Sequence, residues 1–164
     1  MDFIQLGIGR WLHIASGVMW IGLLYYFNFV QVPALAEAAK DNTGAGITKH
    51  VAPRALFWFR WAAVATWLLG AMLLGGNFFK AFFFLDRAFY AIGVGAWLGT
   101  IMLFNVWVLI WPNQKKILGF VTADDAATAK ARRVAFLASR TNTMLSLPML
   151  FFMAAAGHQG VFFG

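Results

Sequence analysis

Residues 11–36 read WLHIASGVMWIGLLYYFNFVQVPALA and contain no Asp, Glu, Lys or Arg. An α-helix rises about 1.5 Å per residue, so a stretch of this length can cross a hydrocarbon core of about 30 Å. It is too long for the core of a cleaved signal peptide, and only Arg10 provides positive charge before it. The stretch therefore predicts a membrane-spanning helix.

This first span has one polar side. At about 100° per residue, one helix face carries His13, Ser16, Gly17, Trp20, Leu24, Phe27, Asn28 and Gln31. Lipid cannot satisfy the hydrogen-bonding groups of an imidazole, an amide or a hydroxyl. We therefore expect this face to be turned toward other helices of the same protein.

The composition agrees with a membrane protein and limits its chemistry. Hydrophobic residues make up 62% of the chain and charged residues 12%, whereas soluble domains carry about 25% charged residues. Cysteine is absent, which excludes disulfides, thiolate metal ligation and covalent attachment of a c-type haem. The net charge of +7 is attributed to loops that face anionic lipid headgroups, and no nucleic-acid partner is expected.

Apolar stretches and polar connections divide the chain into four predicted spans. The spans cover residues of about 10–36, 53–79, 88–112 and 134–158. Antiparallel helices with short connections predict an all-α integral membrane protein, a four-helix bundle formed by a single domain over residues 1–164. Pro53 at the first turn of the second span, and Thr122 or Asp124 before the fourth, provide helix-start signals.

Basic residues predict the orientation of the bundle. Arg10, Lys80 and Arg87 lie on the side of both termini, and the other ten Lys and Arg residues lie toward the opposite side. Because cytoplasmic loops carry the excess of Lys and Arg, both termini are expected outside the cytoplasm.

Two histidines lie at similar depth in this topology. His13 is near the start of the first span and His158 near the end of the fourth. Two imidazoles on facing helices can bind haem b without a covalent bond, and Gly17 would leave room for the flat macrocycle. Alternatively, His13 bonds to a neighbouring helix and His158 is an exposed tail residue. His50 lies in the cytoplasmic loop and is expected to be a surface residue.

Besides the two histidines, a layer of polar residues is predicted near the cytoplasmic ends of the helices. All four spans contribute to it, through Asn28, Gln31, Arg60, Asn105, Arg140, Asn142 and Thr143. In one interpretation the arginines extend to the headgroups and the amides bond between helices. In the other, the arginines and amides bind a planar anionic substrate or a quinone.

Three blocks carry a family resemblance: WLHIASGVMWIG (11–22), FNVWVLIWPNQKKILG (104–119) and RTNTMLSLPMLFFMAAAGH (140–158). Together they resemble the membrane-embedded N-terminal domain of bacterial cytochrome-c-type urate oxidases. The resemblance implies a bacterial inner-membrane redox protein that acts on urate. The chain departs from that pattern in having four spans, no C-x-x-C-H motif, and Thr141 where a histidine is expected.

These observations predict a membrane redox protein that binds haem b and passes electrons to a periplasmic acceptor. Expected partners are the lipid bilayer, a periplasmic cytochrome c or a larger membrane complex, and further copies of the chain. The alternative is a cofactor-free accessory subunit that packs against a larger membrane complex. Transport of a small anion is disfavoured because four spans leave little room for two inverted halves.

Overall fold

The computed structural model describes residues 3–157, with side chains described from residue 6 onward. Within that range the chain forms four long helices and no strand. The first long helix consists of α1 (Phe3–Tyr25), a π-helical segment (Tyr26–Gln31) and α2 (Val32–Ala38). The expectation of an all-helical fold is therefore confirmed.

The other three long helices follow in chain order. The second consists of a π-helical segment (Ile47–Val51), α3 (Ala52–Leu74), a 3-10 turn (Gly75–Asn77) and α4 (Phe78–Phe82). The third consists of a 3-10 turn (Arg87–Phe89), α5 (Tyr90–Phe104), a π-helical segment (Asn105–Ile110) and α6 (Trp111–Ile117). The fourth is the single helix α7 (Asp125–Ala156).

A proline follows each of these π-helical segments. Pro33, Pro53 and Pro112 stand at the first or second position of α2, α3 and α6. Proline has no N–H to donate, and its ring collides with the carbonyl four residues earlier. The wider π-helical turn accommodates that collision without ending the helix, so each long helix continues past its proline.

The four helices pack as a ring in which each contacts its neighbours in sequence. The first packs most extensively on the second and the third on the fourth, while the second–third and fourth–first contacts close the bundle. Trp20, Leu24, Phe59, Met102 and Val106 are almost completely buried in its core. We call the end with the connections 39–46 and 118–124 the loop end, and the opposite end the terminal end.

The surface of the bundle is apolar where a soluble protein would be polar. On α7, Met144 and Leu147 are 73% and 65% exposed, whereas Asn142 and Ser146 are completely buried. Within the described residues, three helices are long and apolar enough to cross a membrane: Leu6–Ala38, Ile47–Phe82 and Arg87–Ile117. The fourth helix is not among them because polar residues interrupt its apolar run.

The loop-end connections are defined by local sequence signals. Asp124 caps α7 by accepting a hydrogen bond from the Ala127 N–H at 2.6 Å, which confirms one of the two predicted caps. Gly119 follows α6 with a φ of +75°, a conformation that glycine adopts without a steric penalty. These two signals fix the turn between the third and fourth helices.

Candidate functional site

His13 contacts the second long helix near the terminal end of the bundle. Its Nδ1 lies 2.8 Å from the backbone oxygen of Thr66. A Cβ atom added at Gly70 would lie 2.9 Å from His13 Cε1, so the imidazole packs directly against the backbone at Gly70. A Cβ atom at Gly17 would lie 3.6 Å from Thr66 Cγ2, so the Thr66 side chain is the neighbour that faces Gly17 across the helix contact.

The contact with Thr66 determines which ring nitrogen of His13 carries the proton. A carbonyl oxygen can only accept a hydrogen bond, so Nδ1 is the donor, and in the neutral ring Nε2 then has a free lone pair. Two helical turns further along the same face, the buried Nε1 of Trp20 has no hydrogen-bond partner among the described residues. The predicted second ligand, His158, lies outside the described residues. His50 is exposed in the second long helix, on the loop-end side.

Asn105 and Asn142 form a buried amide pair between the third and fourth helices. Asn105 Nδ2 donates to Asn142 Oδ1 at 2.8 Å. Asn142 Nδ2 donates in turn to the Met102 carbonyl at 2.9 Å. In this arrangement both amides bond between helices, as in the structural interpretation of the polar layer.

A second set of polar contacts joins the first helix to the fourth. Asn28 Nδ2 donates to the Leu24 carbonyl at 2.9 Å and to Ser139 Oγ at 2.8 Å. The Tyr25 hydroxyl lies 2.9 Å from the Ser146 hydroxyl. Because both Nδ2 hydrogens of Asn28 are used, its Oδ1 acceptor is the remaining polar atom of that side chain.

The two predicted arginines lie against aromatic rings. The Cζ atom of Arg60 is 3.8 Å from the ring centroid of Trp111 and 5.3 Å from that of Phe57. The Cζ atom of Arg140 is 5.0 Å from the ring centroid of Phe136. These are cation–π contacts, and neither arginine lines the cavity described next.

A cavity of about 800 Å³ opens at the loop end between all four helices. Its walls are mainly apolar and include Phe27, Leu56, Phe59 and Ile110, and its polar lining includes Asn28, Gln31, Thr48, Gln114, Arg132, Arg133 and Ser139. The structure thus brings Asn28 and Gln31 together in one site, and it places Asn105 and Asn142 outside it. The cavity lies within the size range of small-molecule sites.

The charged groups that line the cavity are both positive, Arg132 and Arg133. Nearby carboxylates are engaged elsewhere: Glu37 pairs with Lys40 at 2.7 Å, and Asp124 caps α7. Asp41 accepts from the Thr43 hydroxyl at 2.6 Å, and this hydrogen bond lowers the pKa of the Asp41 carboxyl. The mouth of the cavity therefore favours an anion.

Arg132, Arg133 and Gln114 are cavity residues that the sequence analysis did not select. A signal was present: Arg132, Ala135, Phe136 and Ser139 are spaced three, one and three residues apart, so they share one helix face. At the same helical spacing, this face continues along the fourth span to the polar residues Asn142 and Ser146. The predicted cap at Thr122 or Asp124 already placed both arginines on the helix, but the predicted span began only at about residue 134, so they were counted among the basic residues before it; α7 begins at Asp125 and carries them.

Over residues 3–157 the fold and the buried polar layer define a class: an all-helical bundle with buried polar groups, exposed apolar groups and three helices that are long and apolar enough to cross a membrane. Among the described residues, no group of three or more His, Cys, Asp or Glu side chains could hold a metal ion. A family model described as urate oxidase N-terminal matches residues 75–164.

The match covers more than half of the 164 residues, and the chain belongs to the urate oxidase N-terminal family. The matched region contains two of the three blocks that carried the resemblance, together with Gln114, Arg132 and Arg133. The first long helix, with His13, Asn28 and Gln31, lies before it. No curated protein and no solved structure matches the chain.

Proposed function

We propose that the protein is a membrane-embedded redox protein of the urate oxidase type, which binds haem b and passes electrons to a periplasmic acceptor. Family membership supports the redox class. The observation that carries the haem proposal is the hydrogen bond from His13 Nδ1 to the Thr66 carbonyl. Histidines that ligate a metal usually donate their other ring N–H in this way, which fixes the ring and makes the ligand nitrogen more basic.

The donor chemistry of His13 fits a haem iron. Its Nε2 makes no hydrogen bond within the described residues, and Gly70 leaves space for the ring. His158 is proposed as the second ligand from its predicted depth. Haem iron, when bound, would carry one electron at a time between the ferric and ferrous states. His13 would hold the iron at a fixed orientation, and the buried N–H of Trp20 is available to an acceptor near the same face.

We also propose that all four helices cross the bacterial inner membrane with both termini on the periplasmic side. For α7 this rests on its exposed apolar residues and its buried polar residues. Apolar side chains are stable in contact with lipid, whereas polar side chains are stable only where other helices shield them from it. The electron acceptor, a cytochrome c, would then approach the terminal end, where His13 lies. The distribution of Lys and Arg supports the same orientation.

The direct test is the absorption spectrum of the full chain, expressed with ample haem supply and purified in mild detergent. We expect a Soret band, reduction of the bound haem by an added donor, and reoxidation by an external cytochrome c. A colourless protein under these conditions would overturn the haem proposal.

A cofactor-free accessory subunit is the second candidate. The observation that favours it is that Thr66 packs beside Gly17 and that its carbonyl accepts the hydrogen bond from His13, so Gly17 and His13 already serve contacts between helices. Such a protein would be colourless and would co-purify with a larger membrane complex, so the same preparation distinguishes the two functions.

A further inference from the structure

The loop-end cavity reaches the apolar outer surface of the bundle between the first and fourth helices. Val32 on α2 and Phe136 on α7 both line the cavity, and they are 37% and 41% exposed. Val32 lies six residues before the end of α2, and Phe136 lies eleven residues after the start of α7, so this opening is on the side of the bundle. In the proposed membrane placement, the hydrocarbon chains of lipids lie against that side.

The polarity of the lining changes with depth along the cavity. The hydrogen bond between Asn28 and Ser139 places these two residues at one level. At about 1.5 Å per residue, Gln31 lies about 5 Å nearer the loop end than this level, and Arg133 and Arg132 lie about 9–10 Å nearer. The deep end of the cavity is walled by two aromatic rings in edge-to-face contact, those of Phe27 and Phe59. The order is therefore charged at the mouth, amide below it and apolar at the floor, which is the order of groups in an anionic lipid.

The two guanidinium groups at the mouth select for a net negative charge. Arg132 and Arg133 are the charged residues of the cavity lining, and no carboxylate in that lining could receive a cation. A zwitterionic lipid would bring its ammonium group toward these arginines, whereas an anionic lipid brings only its phosphate. Below them, Gln31 Oε1 is buried and has no hydrogen-bond partner among the described residues. A hydroxyl group on the headgroup of an anionic lipid would supply the missing donor.

We infer that the loop-end cavity is a binding site for one anionic phospholipid, whose phosphate meets Arg132 and Arg133 and whose acyl chain lies along the apolar wall between the first and fourth helices. The cavity volume of about 800 Å³ is far larger than a phosphate group alone would fill. Because residues from all four helices line the site, the bound lipid would hold the loop end of the bundle together. The inference rests on the proposed membrane placement and requires neither haem nor electron transfer.

Three probes separate the contributions of the charge and the chain. Dioleoylphosphatidylglycerol has an anionic headgroup with hydroxyl groups and two acyl chains; dioleoylphosphatidylcholine has the same chains and a zwitterionic headgroup; glycerophosphoglycerol is the anionic headgroup without chains. Native mass spectrometry of the full chain in mild detergent counts the bound molecules and measures each affinity. We expect one saturable site for phosphatidylglycerol, with a preference of about tenfold or more over the other two probes, because each Lys or Arg near an anionic lipid contributes about a factor of five.

Variants of the basic residues test the position of the phosphate. Arg132 and Arg133 are exposed, so replacing either with glutamine leaves the packed core intact. Arg132→Gln and Arg133→Gln should each weaken phosphatidylglycerol binding about fivefold, because each removes one basic contact with the phosphate. Lys116→Gln is the matched control, since Lys116 is exposed at the same end and lies outside the cavity lining. That change should alter the affinity by less than about twofold.

Equal affinity for the two phospholipids, or equal effects of Lys116→Gln and the two arginine variants, would overturn the inference. Binding of glycerophosphoglycerol as tightly as the intact lipid would overturn it too, because the site would then belong to a soluble organic phosphate. Failure of the proposed redox function is a separate result. A colourless protein with this lipid preference would retain the lipid site and lose the haem proposal, and a haem-containing protein without the preference would do the reverse.

Discussion

The imidazole of His13 lies against Gly70, where an added Cβ atom would come within 2.9 Å of His13 Cε1. This contact joins the first and second long helices beside the hydrogen bond from His13 to Thr66. Any side chain at position 70 would displace the ring. The contact between His13 and Gly70 therefore couples the packing of the two helices to the orientation of the imidazole that is proposed to bind haem iron.

Gly70→Ala tests that link. We expect a loss of about 1–3 kcal/mol in the free energy of unfolding, because the new methyl group overpacks the helix contact. The matched control is Gly99→Ala, whose Cβ atom would meet nothing within 4 Å. That change should be neutral or stabilising by up to about 1 kcal/mol, because alanine favours helix. Unfolding in detergent measures both, and equal effects would contradict the predicted contact.

His13→Ala should change the spectrum of the haem-loaded protein, because His13 is the residue that would hold the iron in the proposed site. His50→Ala is the control, since His50 is exposed at the other end of the second helix. His158→Ala should resemble His13→Ala if both ligate the iron. Identical spectra for all three variants would exclude ligation by two histidines.

Asn142→Ala should destabilise the bundle by about 1–2 kcal/mol, because it leaves Asn105 Nδ2 without its acceptor and removes the side-chain hydrogen bond to the Met102 carbonyl. Thr141→Ala is the control, since Thr141 is exposed on the same helix. A double-mutant cycle with Asn105→Ala should give a coupling energy above about 0.5 kcal/mol. Additive effects would show that the amide pair contributes no energy of its own.

Arg60→Lys should be more damaging than Arg140→Lys. The Arg60 guanidinium lies 3.8 Å from the Trp111 ring centroid and also contacts Phe57, whereas Arg140 contacts Phe136 at 5.0 Å. Lysine keeps the charge but cannot stack a planar group on the indole. We expect a loss of about 0.5–1 kcal/mol at position 60, measured by unfolding in detergent. Equal stability of the two variants would indicate that both arginines act only through their charge.

Topology reporters test the orientation. A reporter that fluoresces only in the cytoplasm should be dark when fused after Gly164 and bright when inserted between Asp124 and Lys130. Basic residues are concentrated toward the loop end, and such loops remain cytoplasmic. The opposite pattern would place the cavity on the outer side of the membrane and His13 near the cytoplasm.

The sequence determined the four helices and the direction of the polar groups. An uncharged run of 26 residues from Trp11 to Ala36 has few conformational options other than a helix in an apolar environment, because every backbone polar group must be satisfied within the segment. The periodicity of His13, Asn28 and Gln31 predicted which face would turn inward, since side-chain direction follows helix geometry. The cap at Asp124 was also predictable, because it is local.

Only the tertiary structure decided which polar groups meet. Asn105 and Asn142 pair with each other, Asn28 reaches Ser139, and Arg60 stacks on Trp111. These partners lie on different helices, and their contact depends on the relative rotation and depth of those helices, which periodicity within one helix does not specify. The cavity with Arg132 and Arg133 arises for the same reason: its lining comes from all four helices, so the space between them is a property of the packed bundle.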